Sequence, residues 1–185
     1  MVGLVALCAT GCFVRKNAED VSGMGAGVMF DDTDGTPSGA MVQGIAGTGG
    51  MQIEAELVGH RVHRAEDTDG TTRPALGLGL GVRASLLGIV ADDHRLERYF
   101  DFGATAGVLG SVVKTPPNFV DARGEAYYGG WTEIGLSSTR DGYLALTGEL
   151  RVSDATETWD DIPVQVTVGV AWRKRGPPTR TRWRD

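Results

Sequence analysis

Long apolar runs are missing from this chain. No stretch reaches the ~18 consecutive apolar residues of a membrane-crossing helix. Cysteine is nearly missing too: the only two, Cys8 and Cys12, stand at the extreme N-terminus. A disulfide framework therefore cannot be what holds the body together. Basic residues do not dominate, with 18 against 24 acidic residues and a net charge of -6. That excludes nucleic acid as the main partner, because a phosphate backbone demands a basic face. Histidine is scarce, at His60, His63 and His94. His60 and His63 are three apart, so on a strand they face opposite sides and cannot simply share a metal. Glycine is the opposite case. There are 28 glycines in 185 residues, without the three-residue period of collagen. The length suits one domain.

Alternation is what the chain has in quantity. Val164 to Trp172 reads V-Q-V-T-V-G-V-A-W. Val164, Val166, Val168, Val170 and Trp172 share one face of a strand, and Gln165, Thr167, Gly169 and Ala171 share the other. An apolar face opposed to a face of small residues suggests lipid on one side and a narrow lumen on the other. Similar patterns predict strands over 22–31, 39–47, 51–64, 75–90, 98–113, 124–138 and 142–153, eight in all with the last. In 75–90, Leu76, Leu78, Leu80, Val82, Ala84 and Leu86 alternate with Ala75, Gly77, Gly79, Gly81, Arg83 and Ser85.

The connections alternate between long (32–38, 65–74, 114–123, 154–161) and shorter (47–50, 91–97, 139–141). Barrels of the outer membrane show this rhythm, with long outer loops and short periplasmic turns. Aromatics cluster near predicted strand ends: Phe30, Phe100, Phe102, Tyr127, Tyr128, Trp131, Tyr143 and Trp172. Girdles at the two membrane interfaces would produce that distribution.

Over nearly all of 22–172 the pattern resembles small eight-stranded bacterial outer-membrane β-barrels. The resemblance implies an all-β, antiparallel up-and-down barrel that crosses the outer membrane, with outer-membrane lipid around it and the barrel-assembly machinery as a partner. In that family a C-terminal aromatic serves as the assembly signal, and Trp172 looks like it. Here the chain runs on past it with a basic stretch, Arg173, Lys174, Arg175, Arg180, Arg182 and Arg184, read as a solvated tail over 174–185. At the other end, the apolar run to Ala9-Thr10-Gly11-Cys12 resembles a bacterial lipoprotein signal. That implies cleavage after residue 11, lipidation of Cys12, and a lead-in over 12–21 before a barrel over 22–173. No Lys or Arg precedes the apolar run, although export signals carry a positive n-region.

An eight-stranded barrel is just wide enough for side chains to fill its interior. Charges on the small faces must then pair. Those charges are Glu54, Glu56, Arg83, Asp101, Glu133, Glu149 and Arg151, and we expect Arg83 and Arg151 to neutralise carboxylates in a plugged lumen. The sequence Asp-Thr-Asp-Gly-Thr occurs twice, at Asp32/Asp34 and Asp67/Asp69. Alternating carboxylates can ligate calcium, but neither copy has the third ligand or the distal glutamate, so turn chemistry is the expectation. No cofactor is implied. There is no His-x-Ser run or other catalytic constellation, and the expectation is a monomeric, non-enzymatic outer-membrane protein with a structural or surface-interaction role. The competing architecture is a soluble lipocalin-like cup, in which the apolar faces would turn inward around a small apolar ligand. The direction in which Leu78, Leu80, Val166 and Val168 point separates the two.

Overall fold

Side-chain alternation and the need to leave no sheet edge open together produce a closed cylinder. The computed structural model describes residues 20–31, 37–48, 50–63, 72–90, 99–115, 119–138, 142–153 and 164–176. Eight strands follow in chain order: β1 (Asp20–Asp31), β2 (Pro37–Thr48), β3 (Met51–His63), β4 (Thr72–Ser85), β5 (Phe100–Thr115), β6 (Phe119–Ser138), β7 (Tyr143–Ser153) and β8 (Val164–Arg175). Each pairs with the next in antiparallel register, and β8 closes on β1 to complete the barrel. This is the all-β, eight-stranded, up-and-down architecture expected from the sequence. No helix among the described residues is long and apolar enough to cross a membrane, which leaves β-strand crossing open.

Several boundaries differ from expectation by a few residues, and four of them show a physical reason. The fourth strand stops at Ser85, and Leu86–Val90 forms a short helix, α1. Ser85 Oγ accepts a hydrogen bond from Gly88 N at 2.8 Å, a capping bond that begins the helix where the ladder ends. The stretch 114–123, read as a loop, is largely strand, since β5 and β6 remain paired up to Thr115 opposite Phe119. Its residues Asp121, Ala122 and Arg123 are weak strand formers, and ladder pairing overrides that preference. The first strand begins at Asp20, two residues early, opposite Thr48. The last strand continues through Arg173 and Lys174 to Arg175, which pairs with Val21. The sequence pattern assigned Lys174 and Arg175 to the tail because their charge hid the continuing alternation.

The faces sort by parity. Leu78 and Leu80 are 71% and 63% exposed, and Val166 and Val168 also point outward. Inward positions hold Glu54 at 0% and Arg83 at 1% exposure. The apolar faces therefore form the outside and the polar faces the inside, which overturns the lipocalin-like cup. The exterior band includes Met24, Ile53, Leu57, Leu76, Val108, Ile134 and Leu146, all exposed. Phe100, Phe102, Tyr128 and Trp172 are exposed as well. Three expected girdle members are not in the girdle: Tyr127, Trp131 and Tyr143 are buried in the lumen. They share parity with Glu133, Glu149 and Arg151, so the pleat turns them inward.

Candidate functional site: an interlocked charged lumen

Inward faces of two different characters line the lumen. β4 contributes Gly77, Gly79 and Gly81, while β3, β6 and β7 contribute long polar and aromatic side chains. The glycines make room for them. A Cβ on Gly79 would collide with the Glu56 carboxylate, and one on either Gly81 or Gly107 would lie 2.5 Å from the Tyr127 hydroxyl. The small faces are therefore sites of close approach by residues from other strands. Gly107→Val should accordingly displace Tyr127 and lower stability by about 1–3 kcal/mol, the usual cost of overpacking. The urea unfolding midpoint in detergent measures it; an unchanged midpoint would contradict this packing.

Arg151 on β7 is the most fully engaged cation. Its Nε donates to Glu149 Oε1 at 2.7 Å, Nη1 to Glu56 Oε1 at 2.8 Å and Nη2 to Glu54 Oε1 at 2.9 Å. Its guanidinium also lies 4.3 Å from the ring centroid of Tyr127. Arg83 on β4 approaches from the opposite wall. Its Nε is 3.1 Å from Glu54 Oε2, and its Nη1 donates to Gln43 Oε1 at 3.1 Å and lies 3.4 Å from Glu133 Oε1. Its Nη2 is 3.7 Å from Glu149 Oε2, and the group stacks 4.4 Å over Trp131. Glu54 therefore bridges both arginines, and Tyr127 Oη also donates to it, at 3.4 Å. A planar guanidinium with a fork of donors and a flat face suits this combination of carboxylates and rings.

Arg173, grouped from sequence with the basic stretch and not with the lumenal charges, is a third lumenal cation. It is fully buried, and its Nε donates to Glu133 Oε1 and Oε2 at 3.0 and 3.1 Å, with Nη2 also on Oε1. Counting inward from Gln165 through Thr167, Gly169 and Ala171 would have put it on the lumen face. Gln43, Tyr127 and Trp131 were missed for a similar reason: a neutral amide and two aromatics carry no charge signal. Of the seven expected network members, Glu54, Glu56, Arg83, Glu133, Glu149 and Arg151 meet in one cluster.

Asp101 has a different setting, at the end of the barrel beside α1. Its Oδ1 accepts from Ser85 Oγ at 2.6 Å and from Phe102 N at 2.9 Å. Ser85 in turn caps α1, so Asp101 organises the β4–β5 connection. Toward the opposite end, Met29, Met41, Val58, Leu109 and Tyr127 form a buried apolar layer across the lumen. His60 lies beyond that layer, with Nε2 3.3 Å from Ser111 Oγ.

In architecture the chain resembles bacterial outer-membrane barrels. Similar solved structures include the N-terminal β-barrel domain of Pseudomonas aeruginosa OprF, with a TM-score of 0.48 and 10% identity over 85% of this chain and 98% of that one. Neisserial surface protein A scores 0.49 at 8% identity, over 86% and 97% of the two chains. The Yersinia pestis outer membrane protein Ail in a phospholipid bilayer nanodisc scores 0.49 at 13% identity, over 84% and 99%. No protein-family model matches the sequence, and no curated protein matches it.

The other sequence candidates fall elsewhere. Trp172 sits near the lower end of β8, exposed on the outer face and opposite Met24 of β1. Cys12, Asp32, Asp34, Asp67, Asp69 and His94 lie outside the described residues, as does most of the basic tail. Among the described residues, no three His, Cys, Asp or Glu side chains are grouped to hold a metal.

Proposed function

We propose that this chain is a monomeric outer-membrane β-barrel lipoprotein, anchored through Cys12, with a plugged lumen and a structural or surface-contact role. The observation that carries this reading is the inversion of polarity: a continuous apolar exterior encloses paired, desolvated charge. A water-soluble protein would expose a large apolar surface at high cost, whereas a bilayer needs such a band, about 25 Å tall. Closure satisfies every strand edge, which is the condition for strands to cross hydrocarbon. The plug rests on two stacked layers, the arginine–glutamate cluster and the Met29–Met41–Val58–Leu109–Tyr127 layer above it. The lumenal polar groups are spent on one another, which favours a structural role over catalysis. The barrel-assembly machinery would receive the chain, with Trp172 as the aromatic it reads and Arg173 to Arg175 completing the closing strand.

Two measurements test the reading together. The protein should fractionate with outer membranes and show heat-modifiable gel migration. Reconstituted in planar bilayers, it should give no stable conductance. Recovery in the soluble fraction without detergent would remove the membrane reading, and sustained single-channel conductance would remove the plug.

A further inference from the structure

The outer wall is not uniform. At mid-height on β6, β7 and β8 the apolar surface dips into a groove of about 410 Å³ lined by Gly130, Thr132, Gly148, Leu150, Val166 and Val168. The ladder places these residues in two adjoining rows. Thr132, Gly148 and Val168 are paired across one row, and Gly130, Leu150 and Val166 across the next. Gly148 and Gly130 form the floor. A Cβ on Gly130 would meet nothing closer than Gly103 O at 3.5 Å, and one on Gly148 nothing closer than Thr132 Cγ2 at 3.4 Å. Leu150, Val166 and Val168, all at least 40% exposed, stand as the sides. Gly148 is the middle outward residue of β7, between Leu144 and Leu146 below and Leu150 and Val152 above. Val168 is likewise central between Val164 and Trp172 on β8.

We propose that this groove is a binding site for one acyl chain of a membrane phospholipid, held longer there than on the rest of the wall. The inference rests on the membrane reading given above. Hydrocarbon neither gains nor loses hydrophobic free energy on moving from bulk lipid to the wall, so retention must come from packing. A dent with a glycine floor and branched sides gives a chain contact on three sides, where a convex wall gives one. A protein partner fits poorly. The groove spans three strands at about 4.8 Å spacing and two outward residues of each, far below the ~1,000 Å² that a specific protein interface needs. Of the polar residues at the groove, Glu149 and Thr167 are buried on the lumen side, and Thr132 is already engaged, since its Oγ1 donates to Asp101 O at 3.3 Å. The site therefore asks for a ligand with no polar group at this depth, which an acyl chain is.

The test uses the full-length protein in phosphatidylethanolamine vesicles that contain a phospholipid with a diazirine midway along one acyl chain. After photolysis, mass spectrometry maps the adducts. They should concentrate on Gly130, Thr132, Gly148, Leu150, Val166 and Val168, and Gly148→Phe should reduce them severalfold while sparing adducts at Leu76, Leu78 and Leu80. Gly130→Leu provides a second filled groove should the phenylalanine impair folding, with heat-modifiable migration reporting the fold. Adducts spread evenly over the outward residues of all eight strands, or unaffected by both fillings, would overturn the site and leave the membrane reading intact. Adducts on none of the outward residues would overturn the membrane reading itself.

Discussion

Replacing Arg151 with alanine should destabilise the barrel by about 3–5 kcal/mol, the cost of removing one partner from a buried ion pair. The reason is what stays behind. Glu54, Glu56 and Glu149 converge on this guanidinium at 2.7 to 2.9 Å, and Tyr127 stacks on it. Without it, Glu56 loses two contacts, one from Nη1 and one from Nη2. Arg151→Lys should recover only part of the loss, because one ammonium cannot occupy the positions of Nε, Nη1 and Nη2 at once. Arg83→Ala should cost less, since Glu54 keeps Arg151 and Glu133 keeps Arg173. The effects should also be non-additive, because both arginines share Glu54. Equilibrium unfolding in detergent micelles, followed through the denaturant midpoint at constant slope, reads all three variants. An Arg151→Ala barrel as stable as the parent would show that the cluster contributes nothing to holding the walls together.

A charge on the outside should be costly in a different way. Leu78→Arg places a guanidinium on the most exposed bulky position of β4, at mid-band. In a bilayer that should cost about 2–4 kcal/mol, falling to roughly 0–1 kcal/mol near the interfaces. Thr48→Arg, at the lower rim opposite Asp20, is the interfacial control. Folding into phospholipid vesicles followed by gel migration should show a marked loss for Leu78→Arg and almost none for Thr48→Arg. The depth dependence is the discriminating feature. In water an exposed leucine-to-arginine change is nearly neutral or improves solubility, so equal behaviour of the two variants would count against a lipid-facing wall.

Much of the architecture was legible because strands crossing a bilayer obey a strict two-residue period. Leu76 to Ala84 and Val164 to Val170 alternate without exception, and the face each residue takes follows directly from it. The pattern failed where another force took over. At Ser85 the capping bond to Gly88 ended a strand whose alternation continued into Leu86. At 119–123 backbone pairing with β5 held residues that the sequence reads as loop. At Arg173 the parity was intact, but a run of positive charge resembled a solvated tail. Tyr127, Trp131 and Tyr143 resembled interface aromatics because they stand near strand ends, but the face they share with Glu133, Glu149 and Arg151 turns them into the lumen.

The sequence by itself determined the strand count, which residues share a face, and most of the charges that had to find partners inside. It could do so because alternation and the cost of unpaired buried charge are local or additive facts. Only the tertiary structure decided which charges meet. Glu54 lies 97 residues from Arg151 and 40 residues separate Glu133 from Arg173. Those pairings depend on the stagger with which eight tilted strands close. The strand register likewise sets glycines beside long inward side chains, so that Gly79 receives its ladder partner Glu56 and Gly107 receives its ladder partner Tyr127.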